Sequence, residues 1–203
     1  MLAPHPGPPL PPDVILERRP EPLAEPDFVA EAPLERFAAF WGDRRAYGWL
    51  RLEVSRLTDL LNRHRQITLR NAEVEELLDS RTETLDELPL SRDELIVVQT
   101  TGRHGDPALR RRTRPRPIAV QSGPYLLAGF LHSPPGVEPL ADLATRPAMV
   151  PLTDAWLEYW VGDHPRRQWV GTLIFNRELA DRIEPLAETD GELGRPSFRR
   201  TGA

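Results

Sequence analysis

The side chains that could carry out chemistry are few and scattered in this sequence. Its five His residues are at positions 5, 64, 104, 132 and 164, and no two have the short spacing of a metal site. There is no Cys, which excludes thiolate ligands, disulfides and thiol catalysis. Neither a phosphate-binding loop nor a Gly-x-Ser-x-Gly motif is present. We therefore expect no catalytic activity, metal or cofactor, and an enzyme with an unrecognised site is only the third hypothesis.

Arg side chains form the most concentrated charged feature. Lys is absent, and six Arg residues fall in the Arg- and Pro-rich segment 103–117. Such a run can hold phosphate groups electrostatically, which makes four of its members candidates for nucleic-acid binding: Arg110, Arg111, Arg112 and Arg114. The same run can instead be a solvated connector, or pair with the acidic stretches 75–76 and 86–87. A net charge of −5 argues against a protein coated with nucleic acid.

Two Trp residues make one segment apolar on both of its faces. In an extended chain, Trp156 and Trp160 lie on the same side as Glu158, opposite Leu157 and Tyr159. A strand that is apolar on both sides is buried on both sides or forms an interface. Packing between two parts of the chain and association with a partner both fit. We therefore take Trp156 and Trp160 as candidate interface residues.

The elements that position these residues occur twice. The matching pairs are Gly48–Arg51 with Gly129–His132, Leu57–Leu60 with Leu140–Leu143, Ile67–Val74 with Val150–Leu157, and Ser91–Arg92 with Asn176–Arg177. Shared order and spacing on this scale are typical of a repeated structural unit. Within it, we interpret Asp59 and Asp142 as residues that cap tight turns in loops between strands.

The alternation of apolar residues predicts strands that change face midway. Ile67 and Leu69 lie on one face of a strand, but Ala72 and Val74 continue the pattern with opposite parity. The second copy changes parity at the same place, so we expect a bend or bulge at Asn71 and at Asp154. Strongly bent strands are typical of small barrels.

The remaining patterns give the boundaries of the segments into which the chain divides. Leu34, Phe37, Ala38 and Trp41 have helical spacing and predict a short helix over 33–41. We expect return strands at 82–88 and 167–175, further strands at 95–99 and 118–120, and a helix or turn at 177–183. The resulting division is a disordered Pro-rich arm (1–32), a first β unit with its leading helix (33–102), an Arg/Pro-rich linker (103–117), a second β unit (118–186) and a disordered tail (187–203).

These residues resemble the Sm-like family of small β-barrels, in which a helix precedes a Gly-containing strand and a bent second strand. The matching positions are the helix 33–41, Gly48, Asp59, Asn62 and Leu69–Ala72, then Leu90–Ile96, and in the second copy Gly129, Asp142 and Leu152–Ala155. The resemblance implies that Asn62 and Arg92 lie in the loops with which that family holds single-stranded RNA. The chain also resembles bacterial proteins of unassigned function that carry RLTDLLN followed by LTDA.

We therefore expect an all-β protein of two tandem small bent-sheet barrels of the Sm-like kind, with a short N-terminal helix and disordered tails. The expected function is a non-catalytic binding or assembly module, with a protein partner or self-association; an Sm-like RNA-binding protein is the alternative. The longest apolar stretch, 125–131, is too short to span a bilayer, and 1–33 lacks the features of a signal peptide. We expect a cytoplasmic protein without membrane contact.

Overall fold

The computed structural model describes residues 15–16, 34–54, 56–100, 112–186, 188–189 and 192–193. Most of them lie in β-strands, which confirms the predicted all-β class. The first strand, β1 (Ile15–Leu16), falls within the segment expected to be disordered. No helix in this described part of the chain has the length and apolar character needed to cross a membrane.

The first half has the order β-β-α-β-β-β. Its strands are β2 (Leu34–Trp41), β3 (Arg44–Arg51), β4 (Gln66–Glu76), β5 (Thr82–Ser91) and β6 (Val97–Thr100). Helix α1 (Leu57–Arg63) lies between β3 and β4, and a 3₁₀ turn (Arg92–Glu94) separates β5 from β6. The strands predicted at 82–88 and 95–99 are therefore present, with slightly different bounds.

The second half has the same order of elements. Its strands are β7 (Arg114–Ser122), β8 (Tyr125–Ser133), β9 (Met149–Val161), β10 (His164–Asn176) and β11 (Arg182–Pro185). Helix α2 (Pro139–Thr145) lies between β8 and β9, and a 3₁₀ turn (Arg177–Leu179) precedes β11. Two short strands, β12 (Glu188–Thr189) and β13 (Glu192–Leu193), pair with each other in the segment expected to be a disordered tail.

The strands of both halves form one continuous sheet in the order β11-β7-β8-β9-β10-β6-β2-β3-β4-β5. Neighbouring strands along this path are antiparallel, and β1 adds a parallel pair to β10 at Arg166 and Arg167. The two halves therefore meet where β6 pairs with β10. Among the described strands, β5 and β11 are the two ends of the path, and we call them the open ends of the sheet.

The predicted helix at 33–41 is wrong, because this segment is strand β2. It pairs with β3 on one side and with β6 on the other. Phe37 and Ala39 enter one apolar cluster, while Ala38 and Phe40 enter the other. A strand buried on both faces is a continuous apolar run, and such a run also satisfies helical spacing. The tight turn at Gly42, with φ of 51°, then returns the chain as β3.

The predicted loops around Asp59 and Asp142 are also wrong, because these residues lie in α1 and α2. Leu57, Leu60 and Leu61 have helical spacing and are buried, so α1 is held by one apolar stripe. Asp59 lies in the first turn of α1, where a negative charge is favourable. Asp142 likewise lies in the first turn of α2, and it also forms an ion pair with Arg146, 2.5 Å away.

The predicted change of strand face is confirmed at both positions. Asn71 and Asp154 each have φ of 47°, in the left-handed region. The register of β4 against β3 shifts near Asn71, and that of β9 against β8 shifts near Asp154. A short polar side chain tolerates this conformation better than most residues do. The sharp bend is therefore a feature of both halves.

The segment 103–117 is shorter as a linker than predicted, because β7 begins at Arg114 and continues through the predicted strand at 118–120. Residues 101–111 lie outside the described part of the chain. In the predicted helix or turn at 177–183, the chain forms the 3₁₀ turn and the start of β11.

Each apolar cluster contains side chains from both halves. The cluster of the first half includes Met149 and Ile174, and that of the second half includes Phe40, Leu77 and Val97. Burial of such side chains is the main stabilising contribution in a fold of this kind. The two halves are therefore packed together through their cores as well as through the sheet.

Candidate functional site

The contact between the halves is a β-ladder with an apolar filling. Phe175 of β10 lies opposite Val97 of β6, and Ile174 lies opposite Val98; all four side chains are buried. Backbone bonding continues beyond the ladder, where the Asn176 N–H donates to the Ile96 carbonyl at 2.9 Å. This strand pair, β6 with β10, is called the internal junction below.

Two Asn side chains fasten the internal junction at one end. The Asn62 amide donates to the Met149 carbonyl at 2.9 Å and accepts from the Met149 N–H at 3.0 Å. The Asn176 side chain donates to the Arg92 carbonyl at 3.3 Å. Asn62 thus uses both of its polar atoms to hold α1 against the start of β9, which leaves little hydrogen-bonding capacity for a base.

A buried polar cluster joins the halves away from these Asn residues. Arg45 of β3 forms an ion pair with Glu75 at 2.6 Å and donates a hydrogen bond to the Tyr159 hydroxyl of β9. The Tyr125 hydroxyl donates to the Gly42 carbonyl at 3.0 Å. Burial raises the pKa of Tyr47, also in this cluster, to about 12. Tyr47 therefore stays a neutral hydrogen-bonding group at neutral pH.

The open ends of the sheet occupy the same places in their halves as the strands of the internal junction. β5 is the counterpart of β10, and β11 is the counterpart of β6, since the order of elements is the same. When Ser91 of β5 is aligned with its counterpart Asn176 of β10, Pro89 corresponds to Ile174. Pro89 is exposed, and it has no N–H to offer a further strand.

A groove of about 570 Å³ lies beside the open end β11. Its lining includes an apolar floor and two Arg side chains: Arg114, Arg116, Ile118, Val137, Leu140 and Leu186. Both Arg residues are exposed, and neither forms an ion pair with a described residue. We call this feature the basic groove. Its volume is in the range of ligand-binding clefts, but its shape is open, and its lining also includes Glu138 and four Pro residues.

The other end of the sheet has the opposite charge. The β4–β5 hairpin, residues 66–91, contains seven carboxylates and two Arg residues. Several of these carboxylates are already paired, for example Glu87 with Arg70 at 3.4 Å. Glu83 and Asp86 are exposed on β5 and form no ion pair within the described residues. These two residues are called the acidic edge.

The candidate nucleic-acid residues that the structure describes, Arg112, Arg114, Arg92 and Asn62, do not all come together at one site. Arg110 and Arg111 lie outside the described residues, while Arg112 is exposed just before β7 and Arg114 is in the basic groove. Arg92 lies in its 3₁₀ turn and pairs with Asp93 at 2.5 Å. Asn62, the sixth candidate, is held by Met149 at the internal junction.

The candidate interface residues face inward to different degrees. Trp156 is only 1% exposed, and the Arg167 guanidinium lies 4.0 Å from the centre of its ring. Trp160 is partly buried. The exposed aromatic side chain on this hairpin is Trp169, which lies opposite Trp156 in the ladder between β9 and β10. The apolar pattern of β9 therefore reflects packing on both of its faces.

His132 occupies a polar contact between strands. Its two ring nitrogens lie 3.1 Å from the Thr113 hydroxyl and 2.8 Å from the Thr153 hydroxyl. Burial lowers the pKa of His132; the charge of Asp154 opposes this effect and that of Arg146 adds to it. This arrangement favours a neutral imidazole that links β8 to its neighbours.

Sequence reasoning missed the basic groove and the acidic edge. The groove combines residues from β7, the β8–α2 loop and the end of β11, which are far apart in the sequence. Arg116 lies within the predicted linker. In the structure β7 begins at Arg114, so that Arg114 and Arg116 are two residues apart on the same strand. The acidic stretch 86–87 is visible in the sequence, but its place at one end of the sheet follows only from the order of the strands.

The described residues contain no group of three or more His, Asp or Glu side chains placed to hold a metal ion. No protein-family model matches this chain, and no significant match was found among curated proteins or solved structures.

Proposed function

We propose that this chain is a non-catalytic assembly module whose two halves are tandem copies of one small Sm-like bent-sheet unit. Three matched features support the repeat: the order of elements, the left-handed residues Asn71 and Asp154, and the glycines that face them. Gly48 and Gly129 lie where each bent strand crosses its neighbour, and a side chain at either would meet that neighbour closely.

The internal junction is the observation on which the proposal rests. It joins the fourth strand of the second unit, β10, to the fifth strand of the first unit, β6. Because the two surfaces differ, the contact is of the head-to-tail kind that can be repeated by further copies. The counterparts of its two strands, β5 and β11, are the open ends of the sheet. Copies of the chain then associate by adding β11 of one to β5 of the next.

Prolines make this contact between copies weaker than the internal junction. In the register of the internal junction, Pro89 stands opposite Ile183 and Ser91 stands opposite Asp181. Pro89 takes the place of Ile174, and Pro185 takes the place of Thr100, so each removes a backbone donor. Edge strands of natural sheets often carry Pro, which limits uncontrolled pairing. The proposed association is therefore reversible.

Sedimentation velocity across a range of protein concentrations tests the proposal. We expect the native mass to rise with concentration above the 23.0 kDa of one chain. Ile183→Pro removes the backbone donor that faces Pro89 and should give a monomer, whereas the control Ile183→Ala keeps that donor and should still associate. A wild-type chain that is monomeric at every concentration would reject the assembly function.

Nucleic-acid binding is the second candidate, and one observation favours it. Arg112, Arg114 and Arg116 are exposed near one another at the start of β7. Such Arg residues can contact phosphates, and the resulting affinity falls steeply with salt. Fluorescence anisotropy with a labelled single-stranded RNA, at two salt concentrations, measures this directly. Binding that is absent, or that does not change with salt, removes this candidate.

A further inference from the structure

We propose that the basic groove is the docking site for the acidic edge of a second copy of this chain. The inference rests on the proposed assembly function and specifies the surfaces that it uses. The partner is thus identified by its chemistry: an acidic, extended strand edge with an exposed Pro, which this chain carries at the other end of its own sheet.

The register of the internal junction places the two charged surfaces together. When it is applied to β5 and β11, Asp86 falls opposite Leu186, a residue of the basic groove. Leu186 in turn donates its N–H to the Pro117 carbonyl of β7 at 2.9 Å, so it lies beside Arg116. Further along β5, the same register places Glu83 opposite Thr189, beyond the end of β11. The alignment comes from backbone pairing alone, and it places the exposed carboxylate of Asp86 at the end of the sheet that carries the basic groove.

The open ends are less apolar than the internal junction at one matched position. The exposed Arg182 stands in place of Val97, while Leu90, the counterpart of Phe175, is buried in the core of its own half. An open end that carries charge presents a smaller exposed apolar strip before copies meet. Complementary charges then set the orientation of the contact and exclude the reversed one. The contact of acidic edge with basic groove is consequently sensitive to salt.

Charge reversal separates this inference from its alternatives. Arg114→Glu with Arg116→Glu gives a chain with an acidic groove, and Glu83→Arg with Asp86→Arg gives a chain with a basic edge. Each double variant should lose self-association, with a dissociation constant raised by about tenfold or more. An equal mixture of the two doubles should associate, because the acidic groove of one variant meets the basic edge of the other and the two unreversed surfaces also match.

The quadruple variant, which carries all four reversals, should associate again because both surfaces have exchanged sign. The control is the double variant Arg63→Glu with Arg65→Glu. Arg63 is the exposed last residue of α1 and Arg65 is exposed two residues later, so this variant should associate like the wild type. If the wild type associates and the groove and edge variants do so equally well, the docking site is wrong while the assembly function stands. A wild type that never associates overturns both.

Discussion

Replacing Gly129 with Ala tests whether the bend of β9 depends on a bare backbone in β8. A Cβ at Gly129 would lie 2.8 Å from the Ala155 Cβ and 2.9 Å from the Leu152 Cβ. It would also lie 3.2 Å from the Ala155 Cα, and ordinary contact begins at 3.4 Å. These atoms belong to, or are bonded directly to, the backbone of the buried residues Leu152 and Ala155, so β8 and β9 must separate to admit the methyl group.

The cost of this separation follows from the general behaviour of overpacked cores. Overpacking destabilises proteins by about 1–3 kcal/mol, and the rigid neighbours of Gly129 place it near the upper figure. For a chain of this length, each kcal/mol lowers the Tm by about 2–4 °C, so G129A should melt about 6–12 °C below the wild type. At Gly48, where the nearest atoms would be 3.1 Å away, the loss should be about a third as large.

Differential scanning calorimetry of the three Ala variants measures the effect. Gly171 of β10 is the matched control, because it is also a strand glycine and a Cβ there meets nothing within 4 Å. Its replacement should shift the Tm by less than about 2 °C. If G129A melts together with G171A, the close approach of β8 and β9 does not stabilise the bend and the reasoning is refuted.

Three further predictions concern the internal junction, His132 and the open end β5. Asn62→Ala removes two hydrogen bonds to Met149 and should lower the free energy of unfolding by about 1–3 kcal/mol, measured by urea titration; an unchanged midpoint would show that water replaces the amide. The pKa of His132 is lowered in the folded state from its ordinary value of 6.5. Below pH 6.5 the unfolded chain therefore binds more protons than the folded chain, and the free energy of unfolding should decrease as the pH falls. His132→Gln should flatten this part of the stability profile, and an identical slope in both proteins would contradict the assignment. Pro89→Ile supplies the missing donor and should tighten self-association by about 2- to 10-fold in dilution experiments, so unchanged association would indicate a different register.

The bend was predictable from the sequence because it leaves a mark on alternation. Ile67, Leu69, Ala72 and Val74 can share a core only if the strand changes face between them, and a residue near Asn71 must absorb the change. The second unit shows the same break at Asp154. A bend in a strand can therefore be predicted from the sequence alone, because it interrupts the alternation of apolar and polar residues.

The errors came from elements whose environment is set elsewhere in the chain. Residues 34–41 are apolar at helical spacing, but β3 and β6 cover both faces of the segment and make it a strand. Helix α1 has seven residues, too few to give a clear period, and its buried stripe is held by strands that follow it. Local pattern cannot reveal which neighbour will cover a segment.

The candidate site was the hardest to predict, because it depends on contacts between distant segments. Asn62 was expected to face RNA, yet Met149, 87 residues later, takes both of its polar atoms. The basic groove is formed only when β11 returns beside β7. The side chains were visible in the sequence, but their partners follow from the order of strands in the sheet.

The covalent link between the units explains why the two kinds of contact can differ in strength. Within one chain, the linker holds β6 and β10 at a high effective concentration, so an apolar ladder forms regardless of protein concentration. Between copies that advantage is lost, and an equally apolar edge would aggregate before it met the correct partner. Pro89 and Pro185 remove donors at the open ends, and the charged Arg182 stands there in place of Val97. In the proposed assembly, the same unit would thereby form a permanent contact inside the chain and a reversible, salt-sensitive one between chains.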